Sequence, residues 1–320
     1  MIKKIGLLTS GGDAPGMNAA VRAVVRTAIY SGIKVLGFER GYQGLLDNSY
    51  YEMNTTSVSD IIHRGGTILK TARSESFKTS EGQKYASFIL EKNEVDALVV
   101  IGGDGSFRGA HELSKFGVKI IGIPGTIDND IYGTDYTIGF DTAVDTVVSA
   151  INKIRDTASS HERTFVVECM GRDSGWIALT AGLAGGAEDV LIPEQEFSYQ
   201  DCAEKLKAGF KRGKAHGIIV LSEGVENSDI FSKTLEKHLG MSVNRTVLGH
   251  IQRGGQPSSF DKVMASKMGY WAIEELLRSR EDHMIGVKGG EKVLVPFKDI
   301  FHNKKDIDPV LLDMTNILNL

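Results

Sequence analysis

Cysteine is nearly missing from this chain: Cys169 and Cys202 are the only two among 320 residues. Two thiols without C-x-x-C spacing exclude a disulfide framework, and they read as reduced, structural thiols of a cytosolic protein. The eight histidines are dispersed and form no paired metal spacing, so a zinc mechanism finds no support. Proline is scarce, six residues against thirty-seven glycines, which implies many tight loops but no proline-rich linker. No apolar run approaches the roughly twenty residues of a membrane helix. The apolar stretch after Lys3-Lys4 ends at Thr9, short of a signal peptide's core, so the expected location is cytoplasmic. An excess of positive charge is lacking too. The formal net charge of −4 argues against nucleic acid or an anionic membrane as the main partner.

What is present is enough apolar surface for a large core, 41% hydrophobic residues, in a length that suits about two domains. The pattern alternates strand and helix almost throughout. Strands are expected at 2–8, 34–38, 96–101, 118–123, 164–170, 190–192, 217–221, 246–248, 284–287 and 292–295. Helices are expected at 16–30, 57–63, 81–92, 107–115, 141–157, 176–183, 200–211, 230–239, 260–279 and 309–317, with 41–44 read as a loop. This alternation predicts an α/β fold with parallel sheets and helices on both faces.

Several strand ends carry polar or glycine-rich loops. Thr9-Ser10-Gly11-Gly12-Asp13 follows the first strand and precedes a helix, an arrangement that lets backbone N–H groups approach a phosphate. Alone, the glycine pair is a weak signal. Gly102-Gly103-Asp104-Gly105-Ser106 is stronger, because three glycines around one acid at the end of a buried strand are hard to explain by packing. Asp104 suits a magnesium ion and Ser106 a phosphate oxygen. Ile121 to Asp130 reads I-G-I-P-G-T-I-D-N-D, a buried strand that delivers Asp128, Asn129 and Asp130 to its C-terminal lip. By itself this is an ordinary turn. Beside the other loops it is a place for a general base. Met170-Gly171-Arg172, Glu223, His250 and Arg253 complete an inventory that suits phosphoryl transfer to a phosphorylated polyol.

Six blocks in order then carry a resemblance over nearly the whole chain. They are L-T-S-G-G-D-A-P-G-M-N-A-A (8–20), V-V-I-G-G-D-G-S (99–106), P-G-T-I-D-N-D (124–130), K-I-R-D-T-A-S-S-H-E-R (153–163), M-G-R (170–172) and L-G-H-I-Q-R-G-G (248–255). The chain resembles the bacterial ATP-dependent 6-phosphofructokinases, which perform the committed step of glycolysis. The resemblance implies two Rossmann-like three-layer lobes with mostly parallel sheets. Residues 1–138 plus about 251–301 would bind ATP, and 139–250 plus about 302–320 would bind fructose 6-phosphate. It implies that Gly12, Arg73, Ser74, Gly103, Asp104, Gly105 and Ser106 bind ATP, with Asp104 on Mg2+. Thr126, Ile127, Asp128, Met170, Gly171, Arg172, Glu223, His250 and Arg253 would bind the sugar phosphate, joined by Arg163 from a neighbouring subunit of a homotetramer. Asp128 would be the base, with Thr126, Arg73, Arg172 and Gly12 steadying the transferring group. Asp130 would orient the metal shell or hold the loop.

The resemblance leaves alternatives to weigh. Pyrophosphate-dependent relatives typically carry Asp in place of Gly105 and Lys in place of Gly125, so glycine at both points to ATP. NAD kinases and lipid kinases share a G-G-D-G loop but lack the T-I-D-N-D and G-H-I-Q-R-G-G blocks. A catalytically inactive nucleotide-binding regulatory protein is disfavoured by the intact pair Asp104 and Asp128.

The sequence also departs from the family. The regulatory site for ADP or phosphoenolpyruvate maps to Arg22, Arg26, Asp60, Arg155, Gly186, Ala187, Glu188, Arg212, Lys214 and His216. An arginine usual at 55 is Thr55 and a lysine usual at 215 is Ala215, so a weakened effector response is expected. A second cross-subunit arginine usual at 244 is Asn244, with Arg245 one residue later, on the opposite strand face. Trp176 replaces a common Asp, and Phe107-Arg108 replaces a common Tyr at 107.

Overall fold

Val99, Val100 and Ile101 are fully buried, as are Ile5, Leu7, Leu8, Ile120, Ile121 and Ile123. Strands so continuously apolar belong in the middle of a parallel sheet covered on both faces, and that is where they lie. The computed structural model describes residues 2–318. Met1, Asn319 and Leu320, the outer ends of the two expected lobes, lie outside the described residues. The chain opens with β1 (Lys4–Thr9), α1 (Met17–Tyr30), β2 (Lys34–Phe38), α2 (Gly41–Leu46) and β3 (Tyr50–Met53). It continues through α3 (Ser80–Lys92), β4 (Ala97–Gly102), α4 (Asp104–Ser114), β5 (Lys119–Pro124) and α5 (Phe140–His161). Then come β6 (Thr164–Cys169), α6 (Trp176–Gly185), β7 (Asp189–Leu191), α7 (Tyr199–Lys211), β8 (Gly217–Ser222), α8 (Ser228–Leu239) and β9 (Val243–Val247). The last elements are α9 (Ser259–Leu277), β10 (His283–Lys288), β11 (Glu291–Pro296), α10 (Phe297–His302) and α11 (Pro309–Leu318).

The chain divides into two units. Unit 1 is Met1–Thr126, Ile131–Asp141 and Arg253–Lys305, and unit 2 is Ile127–Asp130, Thr142–Gln252 and Asp306–Leu320. Unit 1 holds a seven-stranded sheet in the order β11-β10-β5-β4-β1-β2-β3. Its interior pairs are parallel, while β3 on one edge and β11 on the other run antiparallel to their neighbours. One face carries Leu8, Leu98, Val100 and Ile120 against Ile89, Phe107, Leu113 and Phe297 of α3, α4 and α10. On the other face α1 and α9 pack against each other and against the strands. Unit 2 holds a wholly parallel sheet, β7-β8-β6-β9. Val166, Ile219 and Leu221 there meet Leu206 of α7 and Phe231 and Leu235 of α8.

Three local readings of the sequence are corrected. Residues 57–63 form turns rather than a helix. Asn54 Oδ1 accepts from the amides of Thr56 and Ser57, and Asp60 takes a left-handed φ of 52°, which gives the backbone an alternative to helical bonding. Residues 41–46 form a helix, because Tyr42 and Leu45 at i, i+3 both bury. The helix expected from Phe107 begins at Asp104, so the glycine loop is its first turn.

Candidate active site

The parallel register decides which loops share an edge of the unit 1 sheet. Thr9 lies opposite Ile101, and Gly102 opposite Pro124. The chain therefore leaves β1, β4 and β5 side by side into Ser10–Asp13, Gly103–Ser106 and Gly125-Thr126. Gly11 has φ 85° and Gly16 φ 101°, values that a side chain makes costly. Neither α1 nor α4 has a side-chain cap at its N-terminus; the Met17 amide donates to the Ala14 carbonyl and the Ser106 amide to that of Gly103, and no capping side chain competes with an anion for the other first-turn N–H groups.

Within this edge, Ser106 is buried and its Oγ has no hydrogen-bond partner among the described residues. A Cβ on Gly11 would stand 3.2 Å from that oxygen. An unpartnered buried hydroxyl facing a glycine loop fits phosphate oxygens or a water bound to a cation. Asp104, at the first position of α4, accepts from Arg108 Nε at 2.8 Å. Tyr42 donates from its hydroxyl to the Ser106 carbonyl at 2.6 Å and stacks on Phe77. The two glycines expected to select the donor, Gly105 and Gly125, differ physically. A Cβ on Gly105 would meet nothing within 4 Å, whereas one on Gly125 would press on Met17 at 3.0 Å and Ile101 at 3.2 Å. A side chain at 125 would thus need Met17 and Ile101 to give way by a few tenths of an ångström, while one at 105 would meet open space.

Arg73 is exposed, and Ser74 beside it is buried with its Oγ accepting from the Phe77 amide at 3.3 Å. Thr126 is buried, its carbonyl accepting from Thr137 Oγ1 at 2.6 Å and its amide donating to Ile138 at 3.1 Å. Arg253 falls in unit 1. Its Nη1 donates to the Asp13 carbonyl at 3.2 Å, and the guanidinium occupies the space a Cβ on Gly12 would need.

Unit 2 carries a second cluster. Ile127, Asp128 and Asn129 are buried and Asp130 is exposed, with Asn129 at a left-handed φ of 51°. The Asp128 carbonyl accepts from Ser174 Oγ at 3.2 Å, and Arg172 Nε lies 3.9 Å from Asp128 Oδ2. Arg172 itself is held at φ 53° after Gly171 at φ 145°. Glu223 Oε1 fixes that turn by accepting from the amides of Gly171 at 3.2 Å and Arg172 at 2.9 Å. The Met170 amide donates to Oε1 of fully buried Gln252 at 3.2 Å, and Gln252 Nε2 donates to the Gly249 carbonyl at 3.0 Å. This ties the Met170–Arg172 turn to the short 3-10 segment Gly249–Arg253, on which His250 is exposed.

Arg163 is not brought to this cluster within its own chain. It precedes β6, whereas Met170–Arg172 follow it, and six strand residues span about 20 Å. Arg245 pairs with Asp229 at 3.6 Å on α8, while Asn244 faces the other way.

The residues matched to the effector site are placed in both units. In unit 2, Arg155 donates to the carbonyls of Gly185 and Gly186, and Glu188 lies 3.5 Å from Lys214 Nζ while accepting from the Ile218 amide at 2.6 Å. His216 shares a hydrogen bond with Ser159 at 3.0 Å, Ala187 is buried, and Arg212 is exposed at the end of α7. In unit 1, Arg22 and Arg26 stand one turn apart on α1. Burial, then the neighbouring Arg26, lowers the Arg22 pKa from its ordinary value. Asp60 is exposed in its turn.

Among the described residues no group of three or more His, Cys, Asp or Glu side chains could hold a metal. Burial pushes the Cys169 and Cys202 thiols far up, which leaves both inert. Sequence reasoning missed Gln252, Ser174 and the Arg108–Asp104 pair. The i, i+4 spacing of that pair on a helix was the one available signal.

A family model described as phosphofructokinase matches residues 4–276. The chain is 55% identical over 319 residues to the ATP-dependent 6-phosphofructokinase of Clostridioides difficile, covering the whole of both. It is 52% identical over 332 residues to the protein of that name from Halothermothrix orenii, again covering both completely. Among solved structures, phosphofructokinase of Pichia pastoris in the T-state aligns with a TM-score of 0.89 at 35% identity, over 94% of this chain and 36% of that one. A pyrophosphate-dependent phosphofructokinase from Marinobacter aquaeolei aligns with a TM-score of 0.88 at 21% identity, over 99% and 91%, a likeness of fold.

Proposed function

The chain belongs to the phosphofructokinase family, and on that premise we propose that it transfers the terminal phosphoryl group of ATP to the 1-hydroxyl of fructose 6-phosphate. The products are fructose 1,6-bisphosphate and ADP, in glycolysis. The observation that carries the reading is Asp128: a buried carboxylate at the lip of a β-strand, with the Arg172 guanidinium beside it.

Asp128 takes the proton from the sugar hydroxyl as that oxygen attacks phosphorus. A carboxylate within hydrogen-bond reach of an alcohol can take its proton because the alcohol acidifies as the new bond forms. Arg172, Arg73, Thr126 and the Gly12 amide steady charge on the transferring group. Arg73, Ser74 and Gly103 to Ser106 bind the nucleotide, with space at Gly105 for its phosphates. Asp104, an exposed carboxylate in the first turn of α4, fits a hydrated Mg2+, which when bound offsets negative charge on the phosphates. Thr126, Ile127, Asp128, Met170, Gly171, Arg172, Glu223, His250 and Arg253 hold the sugar phosphate. Arg163 reaches it from a neighbouring subunit of a cytoplasmic homotetramer, and ADP or phosphoenolpyruvate acts at the effector residues. On this reading unit 1 carries the nucleotide-binding residues and unit 2 most of the sugar-phosphate residues, with Thr126 and Arg253 belonging to unit 1.

A coupled assay comparing donors tests this. ATP should support turnover and pyrophosphate should not. Asp128→Ser should lower kcat about a hundred- to ten-thousand-fold. Near-normal turnover in that variant would sink the base assignment.

A further inference from the structure

Two side chains flank the Gly11-Gly12 loop in sequence, and both turn away from it to hold the same distant segment. Thr9, the last residue of β1, is fully buried and donates from Oγ1 to the Lys70 carbonyl at 2.9 Å. The same oxygen shares a hydrogen bond with Thr67 Oγ1 at 3.0 Å. Asn18, at the start of α1, is 1% exposed. Its Nδ2 donates to the carbonyls of Arg64 at 3.1 Å and Gly65 at 3.2 Å, and its Oδ1 accepts from the Ile68 amide at 2.7 Å. One amide side chain thus satisfies three backbone groups of a loop that forms no helix or strand. Only asparagine supplies that donor and acceptor pattern at this length.

The segment they hold runs directly into Arg73. Lys70 takes a left-handed φ of 60°, Leu69 is fully buried, and its carbonyl accepts from the Arg40 amide at 2.7 Å. Arg73 follows three residues after Lys70 and is itself exposed.

We propose that Asn18 and Thr9 are positioning residues that fix Arg73 in register with the Gly12 amide for phosphoryl transfer. The inference rests on the role given to Arg73 above. The two tethers start from either end of the glycine loop, so displacement of the 64–70 segment displaces Arg73 relative to that loop. Misplacing a reacting-centre contact by about 1 Å costs on the order of a hundredfold in rate.

The test is a double-mutant cycle on the full chain. Asn18→Ala and Thr9→Val are each made in the wild type and in an Arg73→Ala background, with Thr9→Ser as the variant that keeps the hydroxyl. In the wild type each should lower kcat about ten- to a hundredfold, with the KM for ATP changed less than about threefold. Thr9→Ser should recover most of the rate. In the Arg73→Ala background the same substitutions should change kcat less than about twofold, because nothing remains to be positioned. Undiminished effects in that background, effects confined to KM, or no effect on kcat overturn the inference. If Arg73→Ala itself leaves kcat unchanged, the role of Arg73 fails and this inference with it, a result distinct from additivity. Should Asn18→Ala not fold, the Thr9→Val and Thr9→Ser pair decides.

Discussion

Arg108 closes on Asp104. Its Nε lies 2.8 Å from Asp104 Oδ2 one turn earlier on α4, while its guanidinium carbon sits 4.7 Å from the centre of the Phe301 ring. The carboxylate proposed for Mg2+ therefore has a resident cation that a metal must displace. Both side chains are substantially exposed, and an exposed i, i+4 pair is worth about 0.3–0.5 kcal/mol, roughly a twofold effect. Arg108→Gln should tighten divalent-ion binding to the ADP-loaded protein by about that factor. Titration with Mn2+ followed by electron paramagnetic resonance reads it directly. A midpoint that stays put or rises counts against competition between the two cations.

Gly12 and Arg253 form a second such relationship. A methyl at 12 would occupy the position of the Arg253 guanidinium, whose Nη1 hydrogen-bonds the Asp13 carbonyl. The guanidinium is the far end of a flexible side chain, so it yields and the fold survives. Gly12→Ala should raise the KM for fructose 6-phosphate about tenfold, the worth of one charged hydrogen bond, with melting temperature unchanged. Steady-state kinetics on both substrates check it. A change confined to the ATP parameters would show that Arg253 plays no part in sugar binding.

Legibility in the sequence followed physical range. β1, β4 and β5 are continuous apolar runs, so their buried, parallel placement could be read directly. The loops at their C-terminal ends were legible for the same reason. The start of α4 was not: glycine disfavours a helix interior, and only the tertiary frame shows Gly103 at the cap and Asp104 in the first turn. Residues 57–63 have helical spacing, but Asn54 offers their backbone a turn instead. The tethers from Thr9 and Asn18 could not be seen at all, since their partners lie 58 and 46 residues away and threonine and asparagine are common surface residues. The side of the strand taken by Arg245 was legible, because alternation needs only one neighbour, and its pairing with Asp229 on α8 follows from that face.

Glu275 on α9 is fully buried yet surrounded by cations, with Lys292 at 2.6 Å and Arg278 at 3.0 Å from Oε1 and Arg280 at 3.7 Å from Oε2. Burial pushes its carboxyl up, but the Lys292 hydrogen bond and the charges of Lys292, Arg278 and Arg280 outweigh it and hold the group below the usual carboxylate range. A carboxylate with a depressed folded-state pKa adds stability above its unfolded value, and that stability is lost as pH falls through the folded value. Glu275→Gln should therefore destabilise the protein by about 3 kcal/mol near neutrality, with the difference from wild type shrinking below about pH 4. Urea unfolding at pH 7 and at successively lower pH measures both. A constant difference across that range would remove Glu275 as the source.

The effector residues give the last expectation. In unit 2, Arg155 is committed to the carbonyls of Gly185 and Gly186, and Lys214 lies beside Glu188, so two of the cations matched to an anion site already have partners. Thr55 and Ala215 are exposed and bring no charge where the family usually has arginine and lysine. If the proposed effector role holds, an anion would meet a site short of two cations, with part of the remainder engaged. Phosphoenolpyruvate and ADP should shift the half-saturating concentration of fructose 6-phosphate only weakly. Thr55→Arg and Ala215→Lys should each strengthen effector binding about two- to fivefold, the range of an exposed ion pair. The gain should fade as ionic strength rises, because pairs at the surface are screened. Effector titrations at low and high salt separate the outcomes. Strong, opposite responses in the wild type would show that the remaining cations suffice, and equal gains at both salt concentrations would show that the added side chains act by packing rather than charge.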